Sequence, residues 1–242
     1  MSRQVKVLLM DIEISPNLGY SWGKWEQNII EFKEEWQILS IGYKWLGEKK
    51  THCITIDDLG SKNDKELTKI IWALFQEADI LIAHNGKAFD IKKAKARFVF
   101  WKLKPCKHLS VIDTKQVAKN GFSFTSNSLD DLGKHLGVGR KIKHEGFGLW
   151  LKCMGGDRAA FKRMKKYNVQ DVILLEKVYK RLLPWIPNHP SLAAIKEVVG
   201  CPNCGSSHVV KQGVRANHTG LRQQMQCKSC KGWYLTRYKK QN

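Results

Sequence analysis

Three short acidic segments carry the residue types and spacings that could do chemistry in this 242-residue chain. The first is Asp11-Ile12-Glu13, at the end of an apolar, β-rich run over residues 5–14. Side chains at i and i+2 of a strand point to one face, so two carboxylates lie side by side. Keeping both ionised is costly unless a cation sits between them. Hard oxygen donors of this kind suit Mg²⁺ or Mn²⁺. The same spacing recurs at Asp64-Lys65-Glu66, in a polar stretch at an expected helix start, where the helix dipole accounts for it.

The second segment is His84-Asn85-Gly86-Lys87-Ala88-Phe89-Asp90, between a short strand over residues 80–83 and a helix. Asp90 thus falls at a strand-to-helix corner, a common place for a site in an α/β sheet. Its competing reading is a helix N-cap. The third is Tyr167-Asn168-Val169-Gln170-Asp171 on a long helix. Positions i and i+4 share a helix face, so a phenol and a carboxylate project together. Its competing reading is a tyrosine at the core edge beside a solvated aspartate.

The elements that must position these groups follow from periodicity. Residues 37–46 and 51–56 read as two more strands, joined by a turn over residues 46–50. Leu67, Ile70, Ile71, Leu74, Phe75 and Ala78 form one apolar helical stripe. A basic helix is expected around residues 91–102 and a strand over 109–112. Ser128 caps a helix with Leu129, Leu132 and Leu136 inward, ending at Gly137. Asp157 caps a long helix running towards Leu183. A strand meander followed by alternating helix and strand is an α/β layer architecture. Pro184, Pro187 and Pro190 break the pattern and mark a boundary.

Charge points to the partner. Forty-two Lys and Arg against 22 Asp and Glu leave +20, which favours a polyanion, nucleic acid first. The excess is concentrated: residues 87–107 carry eight basic residues and the single acid Asp90, and residues 200–242 carry eight and no acid. Apolar content of 43% and charged content of 26% exclude a disordered chain. Apolar runs are too short for a membrane span, and no signal-peptide pattern precedes the first strand, so a reducing, cytoplasmic setting is expected.

Four of the seven cysteines form two knuckles, Cys201-Pro202-Asn203-Cys204 and Cys227-Lys228-Ser229-Cys230. Two C-x-x-C turns with 22 residues between them suit one tetrahedral, closed and therefore structural Zn²⁺. Cys53, Cys106 and Cys153 read as structural thiols, and His208 and His218 as exposed loop residues. A 43-residue unit needs such a staple to fold. It resembles the zinc ribbons of transcription factors and of some transposases, and its basic residues and Trp233 suit DNA binding, with protein docking as the alternative.

In this order, the three acidic motifs resemble those of the DEDDy branch of the DnaQ-like 3′–5′ exonucleases, which have a ribonuclease H-like fold. The N-x-x-x-F-D form is closest to the proofreading domains of family B DNA polymerases. Residues 110–114 and 128–137 resemble segments that family members carry between the second and third motifs. The resemblance covers roughly residues 5–183 and implies a mixed sheet flanked by helices over residues 1–185; the proline break and the cysteine knuckles then set a linker over 186–199 and the zinc ribbon over 200–242. It names Asp11, Glu13, Asp90 and Asp171 as ligands of two Mg²⁺ or Mn²⁺ ions. Asp11 would bridge both ions, Glu13 and Asp171 would serve the ion on the nucleophile side, and Asp90 would hold the other. Tyr167 would orient the attacking water. His84 and Asp113 would be supporting residues.

Substrate contacts are expected from Tyr20, Trp22 and Trp25 by base stacking, worth ~1–3 kcal/mol per base. Asn85, Phe89, Lys87, Lys92 and Lys93 surround the second motif, and Lys95 and Arg97 follow on the same helix, where they could track a phosphate backbone. The expected function is removal of nucleotides from nucleic-acid 3′ ends, DNA favoured, with any proofreading performed for a separate polymerase or repair partner. The competing reading is a DNA-binding adaptor or transposase-like protein in which the ribbon is the main functional part. Tyr167 weighs against it, because such transposases lack a tyrosine four positions before the last aspartate.

Overall fold

The computed structural model describes residues 4–25, 28–143 and 145–238; residues 1–3 and 239–242 of the expected domains lie outside the described residues. Its centre is a five-stranded mixed sheet. Strand β1 (Val7–Ile14) lies in the middle, antiparallel to β4 (Ile38–Trp45) and parallel to β6 (Ile80–Ala83). Strand β5 (His52–Thr55) extends one edge antiparallel to β4, and β7 (Ser110–Asp113) extends the other parallel to β6.

Helices cover both faces, which is why β1 reads as a continuous apolar run rather than an alternating one. Leu8, Met10 and Ile12 face a cluster with Leu67, Ile71 and Phe75 of α1 (Lys65–Glu77) and Ala94 and Phe98 of α2 (Asp90–Phe100). Val7 and Leu9 face the other cluster, with Val172, Leu175 and Val178 of α6 (Arg158–Leu182). Each such buried side chain contributes roughly 1.5–3 kcal/mol. By the same two-residue alternation, Asp11 and Glu13 are turned towards α6.

Helix α6 is 25 residues long, about 38 Å at helical rise, enough to cross the sheet. Asp157 caps it by accepting from the amides of Ala159 (2.8 Å) and Ala160 (3.1 Å). The shorter helices α3 (Thr114–Gly121), α4 (Leu129–His135) and α5 (Phe147–Met154) pack against α6, and α3 also meets β7. Ser128 caps α4 by accepting from the Asp131 amide (3.1 Å), as its position predicts.

Two features differ from the sequence reading. A short antiparallel hairpin, β2 (Leu18–Tyr20) and β3 (Glu31–Glu34), follows the first motif. It has no inward face, so no apolar alternation announced it. Asp64 is not explained by the helix dipole. It is fully buried and makes no capping bond within α1. Its carboxylate instead takes two bonds of 2.6 Å from Arg97, one of 2.8 Å from the Trp101 indole and one of 2.9 Å from the Ile38 amide. Arg97 is consequently buried and cannot follow a phosphate backbone, contrary to the expectation above.

After α6 the chain passes through α7 (Leu192–Ile195) into a separate sheet of β8 (Val209–Asn217), β9 (Gly220–Cys227) and β10 (Trp233–Arg237), in the order β10-β9-β8. This is a zinc-ribbon fold. It is tied to the end of α6 by Asn203, whose amide donates to the carbonyls of Leu183 (3.0 Å) and Ile186 (3.3 Å). No helix among the described residues is long and apolar enough to cross a membrane.

The buried pair gives a direct test of the fold. Arg97→Met leaves the Asp64 charge enclosed without its partner, and removing one member of such a pair costs about 3–5 kcal/mol. Urea unfolding should show that loss; a change below about 0.5 kcal/mol would contradict the pairing.

Candidate active site

Residues far apart in sequence meet at the C-terminal end of β1. Carboxylate oxygens of Asp11, Glu13 and Asp171 all lie within 4.8 Å of one another. Asp171 comes from the middle of α6 and is fully buried, not solvated. The Asp90 side chain enters from the start of α2, is 3% exposed, and accepts a bond from the Ile12 amide (3.1 Å). That bond fixes Asp90 to the residue between the two carboxylates of the first motif.

The loop leading to Asp90 is built for close approach. Asn85 adopts a positive φ of 67°, which asparagine tolerates better than most residues. A Cβ at Gly86 would lie 2.4 Å from the Ala83 side chain, so only glycine fits there. Asp113 pins the loop by accepting from the amides of Asn85 (2.9 Å) and Lys87 (3.1 Å), and it also caps α3 through Lys115 and Gln116. His84 is held by Thr114 (2.9 Å) and the Asn127 carbonyl (3.0 Å). Burial pushes its pKa down to about 4, so it is neutral. Both residues support the loop, as the sequence implied.

Burial, and then crowding, set the electrostatics. Burial, with Asp90, Glu13 and Asp171 nearby, holds Asp11 well above the usual carboxylate range. Burial and Asp171 push Glu13 up to about 8. Burial raises Asp90 to about 6, against the opposing pull of its hydrogen bonds. Asp11, Glu13 and Asp90, which resist ionisation, form with Asp171 an all-oxygen, hard donor set, and a divalent cation between them would remove the penalty. The residues therefore fit Mg²⁺ or Mn²⁺.

Two residues that the sequence reading passed over complete the site. Lys141 donates to Asp171 (2.7 Å) and to the Tyr167 hydroxyl (3.0 Å). Burial works against its charge, but the Asp171 carboxylate outweighs this and raises its pKa. Asn168 donates to the Asp11 carboxylate (2.8 Å) and to the Asp11 carbonyl (3.2 Å). Its approach requires Gly42 on β4, where a Cβ would lie 2.7 Å from the Asn168 side chain. Asn168 stood inside the third motif and could have been found there. Lys141 lies in a loop, and nothing in its spacing marks it.

Tyr167 packs edge-on against Trp150, with ring centroids 6.2 Å apart. Burial and Asp171 raise its phenol pKa above the usual value, so it stays protonated at neutral pH. It also lines a cavity of about 450 Å³ with Arg140, Lys141 and Lys143. On the hairpin side, Trp22 and Trp25 are each 87% exposed and Tyr20 is 55% exposed. The rings do not pack onto the sheet, so they are free to stack. Lys87, Lys92 and Phe89 are exposed beside Asp90, while Lys93 lies 3.9 Å over the Trp36 ring.

In the ribbon, the Cys201 and Cys230 sulfurs are 3.6 Å apart, as are those of Cys204 and Cys227. A tetrahedral ion with bonds of about 2.3 Å sets its sulfurs about 3.8 Å apart. The spacing fits a shared metal and is far too long for disulfides. His208 and His218 are exposed and outside this cluster.

A family model described as the RNase H superfamily matches residues 31–183, a span that holds the second and third motifs. Among solved structures, the chain is similar to the family B DNA polymerase from the hyperthermophilic archaeon Pyrobaculum calidifontis, with a TM-score of 0.57 and 13% identity over 76% of this chain. The match takes up 25% of the polymerase, so this chain corresponds to about a quarter of it. At that identity the likeness speaks for the fold. It falls on the same group of polymerases that the N-x-x-x-F-D motif resembles. A comparison with curated proteins finds no match.

The raised carboxylates give a pH prediction. Protons and a cation compete for Glu13 and Asp90, so Mn²⁺ affinity should rise from pH 5.5 to 8 as those groups, near 8 and 6, release protons. Calorimetric titration at several pH values measures this. Affinity independent of pH would contradict the site.

Proposed function

The chain belongs to the RNase H superfamily, and from that premise we propose that it is a metal-dependent 3′–5′ exonuclease acting on nucleic acid, DNA in preference. The observation that carries this reading is the convergence of Asp11, Glu13 and Asp171 within 4.8 Å, with Asp90 hydrogen-bonded to Ile12 between them. Asp11, Glu13, Asp90 and Asp171 would hold two Mg²⁺ or Mn²⁺ ions. Such ions, when bound, neutralise charge on the reacting phosphate and make water a better nucleophile.

The remaining roles belong to the chain itself. Tyr167 orients the attacking water through its hydroxyl; a phenol held protonated at neutral pH serves as a hydrogen-bond partner, not as a base. Lys141 fixes the Tyr167 hydroxyl and brings positive charge to the phosphate side of Asp171. Asn168 locks the Asp11 carboxylate in one orientation. The exposed Tyr20, Trp22 and Trp25, with Asn85 and Phe89, grip terminal bases, and Lys87, Lys92 and Lys93 follow the strand. Residues 1–185 form the nuclease, 186–199 the linker, and 200–242 a ribbon that binds one structural Zn²⁺ and aids nucleic-acid binding. Proofreading for a separate polymerase, or a repair role, fits such an activity.

The test uses single-stranded DNA labelled at its 5′ end, incubated with Mg²⁺ or Mn²⁺. A ladder shortening from the 3′ end should appear and should vanish in Asp11→Ala. Tyr167→Phe should lower the rate by about 10²-fold or more while leaving Mn²⁺ binding intact. Intact DNA with every metal, or internal cuts without a ladder, would contradict the reading.

A further inference from the structure

The ribbon sheet carries a charge arrangement that costs stability. Arg215 of β8 stands opposite Arg222 of β9, which stands opposite Arg237 of β10. Cross-strand partners project from the same face, so three arginines form one rank across all three strands. Like charges directly opposite one another destabilise a sheet. The ribbon itself supplies no relief, because residues 200–242 contain no Asp or Glu.

The rest of that face is defined by the same register. Next to the arginine rank, Gln224 stands opposite Leu235, and beyond it Gln226 stands opposite Trp233. Trp233 is 50% exposed and Leu235 44%, while Arg215 and Arg237 are also exposed. Cys227 and Tyr234 fall on the other face by alternation. The arginine face is therefore opposite the one that carries the metal-binding cysteine of β9.

We propose that this face is a platform for single-stranded nucleic acid, a proposal that rests on the reading of the ribbon as a nucleic-acid-binding unit and specifies how it binds. The arginine rank grips the phosphates, and Trp233 stacks a base. Charge complementarity selects a polyanion, since the rank of opposed cations has no acid in its own domain to offset it and an anionic partner would supply one. The exposed indole and leucine beside the rank select the single strand. Unstacked bases offer them a flat apolar surface, whereas the bases of a duplex are already stacked. The face would hold the strand upstream of the 3′ end that the nuclease consumes.

The experiment measures binding by the full chain carrying Asp11→Ala, so that cleavage plays no part. A labelled oligothymidylate and a blunt duplex of equal length are titrated by fluorescence anisotropy over a salt series. Arg215→Gln, Arg222→Gln and Arg237→Gln combined should weaken single-strand binding about tenfold or more and reduce the salt slope by about 2. Trp233→Ala should weaken it about fivefold or more with the slope unchanged. The arginine variant should keep its zinc and melt no lower than the parent, because opposed charges have been removed. Should the triple variant fail to fold, Arg222→Gln alone should lower the slope by about 0.7. Unchanged affinity and slope with zinc retained, or a loss confined to the duplex, would overturn the proposal. Wild-type chain that does not cleave, with arginine variants that lose binding, would support the platform and reject the nuclease. Cleaving wild type, with arginine variants that bind normally, would reject only the platform.

Discussion

The joint cost of burying carboxylates and of setting them side by side is the constraint around which this molecule is organised. Two charges about 5 Å apart at an effective dielectric of 20 repel by about 3 kcal/mol. Were Asp11, Glu13 and Asp171 all ionised with no cation between them, three such pairs would approach the whole net stability of a domain, about 5–15 kcal/mol. Burial raises the pKa values of Asp11, Glu13 and Asp90, and for Asp11 and Glu13 the neighbouring carboxylates raise them further. Lys141 offsets part of it through Asp171. The fold nonetheless keeps all four carboxylates in place, which is how a protein behaves when a cation is to be bound there.

Holding repelling groups together demands a rigid frame. The central strand provides it by pairing on both sides and by burying Leu8, Met10 and Ile12 on one face and Val7 and Leu9 on the other. Asp113 restrains the loop before Asp90, and Asn168 restrains Asp11. The Asp64–Arg97 pair joins the start of α1, the start of β4 and α2 into one unit. The bonds from Asp113 and Asn168 act on the site directly, and the Asp64–Arg97 pair acts on the frame behind it.

The elements with strong periodicity were legible in the sequence: β1, β4, the stripe on α1, and the capped starts of α4 and α6. The three acidic motifs were legible as well, because their spacing on strand or helix fixes a common face. What escaped reading depends on contacts between distant segments. Lys141 enters from a loop with no periodic pattern, and Arg97 looked like one more basic residue on a basic helix until Asp64 was found beneath it. The β2–β3 hairpin escaped because it is exposed on both faces. The arginine rank of the ribbon needs strand register, which a one-residue slip would scramble.

The central claim, that the converged carboxylates are a divalent-metal site, is tested most directly by crystals of the chain soaked in Mn²⁺ with a 5′-mononucleotide. Anomalous scattering locates manganese without reference to activity. The account predicts two peaks, both in contact with Asp11 and shared among Glu13, Asp90 and Asp171, and none in Asp11→Ala crystals. Anomalous density absent from this cluster at saturating Mn²⁺, or held by other residues, would contradict it.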